Sequence, residues 1–194
     1  MLELLQLLWA VSILSLLITS MSENKNAPAA KVTHDRFSQE LYDQLSLHEG
    51  KKPYAYLDTK NNSTIGIGFN LEDKDNQRIV REMGYNVQGL KSGKVRLTDN
   101  EIKRLYNQSI TKAFHDVRKW LPNYNEQPRE VRKALIDMSF NLGSSKLGGF
   151  KETRQALINK DYAKAADEML DSKWSKQVKG RAKTLASMVR QYAK

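Results

Sequence analysis

The sequence predicts an α+β fold that is mostly helical, with one small β-hairpin, one helix long enough to bridge two lobes, and a helical remainder. Three observations predict it. Two short aromatic or β-branched runs, residues 54–57 and 64–69, flank a turn-forming Asp-Thr-Lys-Asn-Asn-Ser segment. Thr98-Asp99-Asn100-Glu101 reads as a capping box and opens the longest helical stripe of the chain. From residue 130 onward, apolar residues keep helical spacing and glycines punctuate them.

In chain order, residues 4–21 come first. They are uncharged and leucine-rich, near the lower limit of length for a bilayer span. They predict a membrane-associated segment, either a retained signal-anchor or one that is released. A cleaved secretory signal with Ala27-Pro28-Ala29 as its small-residue site is the competing reading. Glu3 before the run, and the distance from the run to that site, count against cleavage. The nearest basic residues, Lys25 and Lys31, follow the segment, so the positive-inside rule taken literally would place the following domain in the cytoplasm. The expected division is 1–21 anchor, 22–34 polar and proline-bearing linker, and 35–194 soluble domain.

In the soluble part, Phe37, Leu41 and Leu45 recur at helical spacing, and Gly50 and Pro53 end that helix near His48-Glu49. The hairpin follows. If residues 64–69 form one strand, Gly66 and Gly68 share a face and leave it open, either as one wall of a cleft or for close backbone packing. A short helix is expected over residues 75–83, stopped by Gly84, with loop or short strand over 85–97. The capped helix carries Ile102, Leu105, Tyr106, Ile110, Ala113, Phe114 and Val117 on one stripe, and Pro122 lies beyond its end. Val131, Ala134, Leu135, Met138 and Leu142 are in phase on the next helix, which Gly143 stops. Helical stretches follow near residues 151–159, 162–170 and 181–193.

Composition narrows the chemistry. There is no cysteine, hence no disulfide framework and no thiolate metal site, and His34, His48 and His115 are not at metal-ligand spacing. Neither a metal nor a cofactor is expected. The net charge is +10; residues 1–30 contribute −1, leaving +11 on residues 31–194. So basic a domain suits a polyanionic partner, yet zinc-finger, RNP-type and helix-turn-helix signatures are all missing, and nucleic acid is not the expected one.

The chemistry-bearing residues sit at the helix-to-hairpin corner. Cleavage of a glycosidic bond needs an acid for the leaving oxygen and a carboxylate, or a water activated by one, on the far side of the sugar. Glu49 stands at a helix C-terminus, where the dipole disfavours its charged form. Asp58 lies on a wetter turn, and the Thr64 hydroxyl, a short step on, can hold a water. A Glu and an Asp nine apart are common by chance, so the pair alone is only suggestive.

The order Glu49, eight residues, Asp58, five residues, Thr64, with Gly50 after the glutamate and Thr-Ile-Gly-Ile-Gly at 64–68, resembles the catalytic signature of the T-even phage lysozymes. The capping-box helix resembles that family's interlobe helix, and residues 134–143 its central buried helix. Gly149-Phe150 with Thr153, Lys173-Trp174 and Arg181-Ala182-Lys183 follow in the family's order. The resemblance covers about residues 35–192. It implies a two-lobed, lysozyme-like fold: a small lobe with a short antiparallel sheet, joined by the long helix to a helical lobe.

It also implies a muramidase that cleaves the β-1,4 bond between N-acetylmuramic acid and N-acetylglucosamine with inversion. Glu49 would be the acid, Asp58 would position or activate the water, and Thr64 would help hold it. Gly68, Leu71, Phe140, Asn141 and Thr153 would line the cleft, and Arg181 would pair with Glu49. The partner would be peptidoglycan, with no nucleic acid and a monomeric enzyme. The location would be the host inner membrane or periplasm, or else the virion.

Two positions depart from the pattern: Phe69 replaces a histidine, and Glu168 stands where an amide is expected. The N-terminal apolar segment is foreign to the soluble members. Trp120 and Trp174 read as core aromatics, and His48 as a helix-end residue. A lytic transglycosylase and a non-catalytic, membrane-tethered glycan-binding or virion protein are the alternatives; Asp58 and Thr64 at the family spacing argue against both.

Overall fold

The computed structural model describes residues 28–58 and 61–194. The expected membrane segment at 4–21 lies outside them; among the described residues no helix is long and apolar enough to cross a membrane. The chain divides into two units, residues 1–40 and 41–194. In the first unit the described residues are helical and Arg36 Nε meets Glu40 Oε1 one turn on, at 3.1 Å. That helix, α1 (Pro28–Glu49), begins earlier than expected and takes in part of the predicted linker.

The second unit contains the sheet and the remaining helices. Strands β1 (Lys52–Leu57), β2 (Ser63–Gly66) and β3 (Phe69–Asn70) form an antiparallel sheet in the order β1-β2-β3. Tyr56 stands opposite Thr64, and Ile65 opposite Phe69. The expected single strand over 64–69 is therefore two strands. Gly66 and Gly68 sit at φ +66° and +65°, so the chain reverses between them. Their shared open face does not exist; they shape a turn.

Helix α2 (Lys74–Glu82) is capped by Asp73, whose side chain accepts from the Asn76 amide. The segment expected to be loop contains a short helix, α3 (Val87–Lys91), capped by Asn86 and held by buried Val87 and Leu90. Helix α4 (Asp99–Trp120) has the full capping box: Thr98 Oγ1 accepts the Glu101 amide while the Glu101 carboxylate accepts the Thr98 amide. Its buried side, including Ile102, Leu105, Tyr106, Ala113 and Val117, packs on β2, β3 and helix α5 (Arg129–Leu142).

Helix α5 is the centre of the helical part: Val131, Ala134, Leu135, Ile136 and Met138 are all fully buried. Gly143 ends it at φ +73°. The chain continues through α6 (Ser144–Leu147), α7 (Lys151–Ile158), α8 (Tyr162–Leu170), α9 (Lys173–Val178) and α10 (Gly180–Arg190). Helix α10 packs on both α8 and α5, which carries Arg181 at its first turn to the C-terminal half of α5. Phe69 is buried in the sheet lobe's core, where an apolar ring suits the site.

Candidate active site

Glu49 is the last residue of α1, and Gly50, at φ +75°, turns the chain directly into β1. Its side chain is 18% exposed. The two carboxylate oxygens have different surroundings. Oε1 accepts a hydrogen bond from Arg181 Nη1 at 2.5 Å and lies 3.5 Å from Asn141 Nδ2. Oε2 is turned toward the β2–β3 corner; a Cβ on Gly68 would lie 3.0 Å from it. The absence of a side chain at 68 is therefore what admits the carboxylate. The expectation built on the helix dipole counted only α1, and the structure adds a guanidinium on the same group.

Asn141, on α5, is oriented by its other end. Trp174 Nε1 donates to Asn141 Oδ1 at 2.9 Å, which leaves the amide nitrogen facing Glu49. The Trp174 indole is buried edge-on to Phe150, with centroids 6.0 Å apart. The core role expected of Trp174 thus includes fixing the Asn141 amide.

Arg181 is held from behind. Its Nε donates to Asp137 Oδ1 at 2.7 Å and its Nη2 to the Asp137 carbonyl at 3.3 Å. Asp137 is fully buried on α5 and also contacts Gln44 Nε2 at 2.6 Å and His48 Nδ1 at 2.8 Å. Burial alone pushes the Asp137 carboxyl up, but His48, Arg181 and Gln44 together outweigh it and hold the group below the usual range. Burial likewise works against the Arg181 charge, and Asp137 and Glu49 more than restore it, raising its pKa. His48, read from sequence as a helix-end residue, is half-buried and part of this network.

Asp58 follows β1. Its carboxylate accepts the Asn62 amide at 2.8 Å and Asn62 Nδ2 at 3.0 Å, a turn that fixes its direction. Thr64, buried on β2, donates its hydroxyl to the Asn62 carbonyl at 3.2 Å. Tyr56, opposite Thr64 in the sheet, ties these groups to Glu49: its hydroxyl donates to the Glu49 carbonyl at 3.4 Å. Burial raises the Tyr56 phenol pKa, and the negative charges of Glu49 and Asp58 raise it further, so both carboxylates act on one phenol.

Two hollows flank the C-terminal half of α5. One, of about 550 Å³, is lined by Gly68, Asn70, Ser139 and Phe140. The other, of about 660 Å³, is lined by Phe150, Thr153, Glu168 and Trp174, and Leu142 borders both. The structure thus sets Gly68, Asn141 and Arg181 against the Glu49 carboxylate, links Asp58 and Thr64 to it through Tyr56, and places Phe140 and Thr153 along the flanking hollows. Leu71 is the exception. Its side chain is fully buried and its backbone is already bonded to Ser63 and Gln77, so it belongs to the core and not to the cleft wall.

Sequence reading missed Tyr56, Gln44, His48 and Asp137. A carboxylate within the apolar stripe of a buried helix was the available signal for Asp137, because such a group requires partners.

The sequence model of the phage lysozyme family matches residues 46–194. The chain is 28% identical over 156 residues to probable T4-type lysozyme 2 of Dictyostelium discoideum, covering 76% of this chain and 92% of that one. It is 27% identical over 157 residues to probable T4-type lysozyme 1 of the same organism, covering 77% and 92%. It is also similar to the pre-baseplate central spike protein Gp5 of Enterobacteria phage T4, 25% identical over 167 residues, which are 81% of this chain and 28% of that protein. With the family match running over most of its length, the chain belongs to the phage lysozyme family, of T4 type, and so to the lysozyme-like peptidoglycan hydrolases.

Proposed function

We propose that the protein hydrolyses the β-1,4 bond between N-acetylmuramic acid and N-acetylglucosamine, with inversion at the anomeric carbon. The observation that carries this reading is the unequal setting of the Glu49 oxygens: Oε1 is held by Arg181, and Oε2 lies against Gly68, which lines the hollow beside α5. Glu49 gives its proton to the leaving glycosidic oxygen from Oε2. Asp58, its direction fixed by Asn62, accepts a proton from the attacking water, and the Thr64 hydroxyl helps hold that water. Gly68, Phe140 and Thr153 contact the glycan along the hollows beside α5, Asn141 contacts it beside Glu49, and Arg181 orients the acid.

The charge of +11 on residues 31–194 favours approach to an anionic envelope. Association with a membrane through residues 4–21, action as a monomer, and a role in host lysis are parts of the same proposal. Similarity to a phage spike protein favours a second role, wall penetration from the virion, on the strength of that relative's name.

The stereochemistry is tested by proton NMR of freshly released reducing ends from purified peptidoglycan glycan. Inversion of a β bond gives the α anomer first; an initial β anomer rejects the water-attack role of Asp58 in favour of a covalent or retaining route.

A further inference from the structure

Glu49 and Asp137 compete for one guanidinium, and the competition bears on how Glu49 can act as an acid. Arg181 is nearly buried, its side chain 8% exposed, so its charge requires a partner at all times. Asp137 is fully buried and is met by three side-chain donors, Gln44 Nε2, His48 Nδ1 and Arg181 Nε. Glu49 is the more exposed of the two carboxylates and receives Arg181 through Nη1 alone.

We propose that Asp137 is a positioning residue that supplies the standing countercharge to Arg181, so that Arg181 orients Glu49 Oε1 without requiring Glu49 to be ionised. The proposal rests on Glu49 being the acid. Before the proton leaves, Glu49 is neutral and the Arg181–Asp137 pair is balanced by itself. After the proton has moved to the leaving oxygen, the Glu49 carboxylate that forms is met at once by Nη1, with no rearrangement of the guanidinium.

The remaining neighbours do not substitute for Asp137. Around it stand Gln44 and His48 from α1, Arg181 from α10, and the Tyr106 phenol from α4, whose pKa burial raises first and nearby charges raise further. Around Glu49 stand Arg181 from α10, Asn141 from α5, the Tyr56 hydroxyl from β1 and Gly68 from the β2–β3 turn, with Asp58 acting on the same Tyr56. None of the groups around Asp137 is an anion near neutral pH. Without Asp137, Glu49 is, among the described residues, the one carboxylate in direct contact with Arg181, and the buried cation then favours its ionised form.

The test is the pH profile of kcat for Asp137→Asn, an almost isosteric change, against wild type on soluble peptidoglycan glycan. The alkaline limb is expected to move to lower pH by about one unit or more, the usual effect of an opposite charge gaining weight. KM should stay within twofold, since Asp137 touches no sugar. A merely structural defect lowers kcat at every pH and leaves the limb in place, which would overturn the proposal.

A second measurement needs no variant. In wild type the Arg181 Nε–H, bonded to Asp137, should stay protected from solvent exchange on both sides of the alkaline limb. Exchange that opens as the limb is crossed would make that bond dependent on Glu49 and reject the idea. Wild-type protein that hydrolyses no glycan overturns the proposed function and this inference together; an active wild type with a superimposable Asp137→Asn profile overturns this inference alone.

Discussion

At Gly68 the backbone is left-handed, φ +65°, and an added Cβ would touch the Glu49 carboxylate. Gly68→Ala therefore strains the turn by about 1–2 kcal/mol and displaces the Glu49 carboxylate, the proposed proton donor. A fall in kcat of about 10- to 100-fold is expected, read from turnover of soluble glycan at saturation; turnover at the wild-type rate would remove Oε2 from the mechanism. Asp137 makes a prediction about pH. Its carboxyl lies lower in the folded protein than in the unfolded chain, where it is about 3.9. The stability it contributes is complete above that value and is lost as the pH falls through the folded value. The urea midpoint of Asp137→Asn should accordingly change less than that of wild type between pH 5 and more acidic conditions, and parallel curves would refute the assignment. At this scale Glu49, Asp58 and Thr64 stand out as candidates in the sequence because they lie close together and in a fixed order. Asp137 and His48, 89 positions apart, become a pair only in the folded chain, where the His48 ring on α1 meets the Asp137 carboxylate on α5.

Among the elements, the ones read correctly from sequence are those with many residues in phase or an explicit cap. Helix α4 has both, and Thr98→Ala removes one half of its capping box. A loss of about 1 kcal/mol is expected from chemical denaturation; no change would mean that tertiary packing alone sets the start of α4. The elements missed are short: α3, α6 and α9 hold too few residues to express a helical period. The β2–β3 corner was misread because alternating Ile and Gly satisfies the strand pattern, while only the backbone reveals positive φ at both glycines. Leu71, placed at the cleft by the family resemblance and not by the strand pattern, has its side chain fully buried in the core. Leu71→Ala should cost about 2–5 kcal/mol of stability and leave KM unchanged, whereas a raised KM with intact stability would return it to the cleft.

For the molecule as a whole, the sheet lobe supplies Asp58, Thr64, Tyr56 and Gly68, helix α1 supplies Glu49 at the junction, and the helical part supplies Asn141 and Arg181. The Glu49 carboxylate is thus fixed by α5 and α10, while the groups proposed to handle the water come from the hairpin. Such a division lets each half of the reaction be set by a separate rigid element. The α+β class, the long bridging helix and the buried α5 were all visible as sequence patterns. The network behind Arg181 was not, because it joins three helices.

The central claim is that Glu49 acts as the acid in a hydrolysis, and product mass tests it most directly. Wild type and Glu49→Gln would each be incubated with purified peptidoglycan and the released muropeptides weighed. Hydrated reducing-end products from wild type, and a rate about 10²–10⁴-fold lower from Glu49→Gln, are the expected result. Anhydro products, or equal turnover by both proteins, would contradict it.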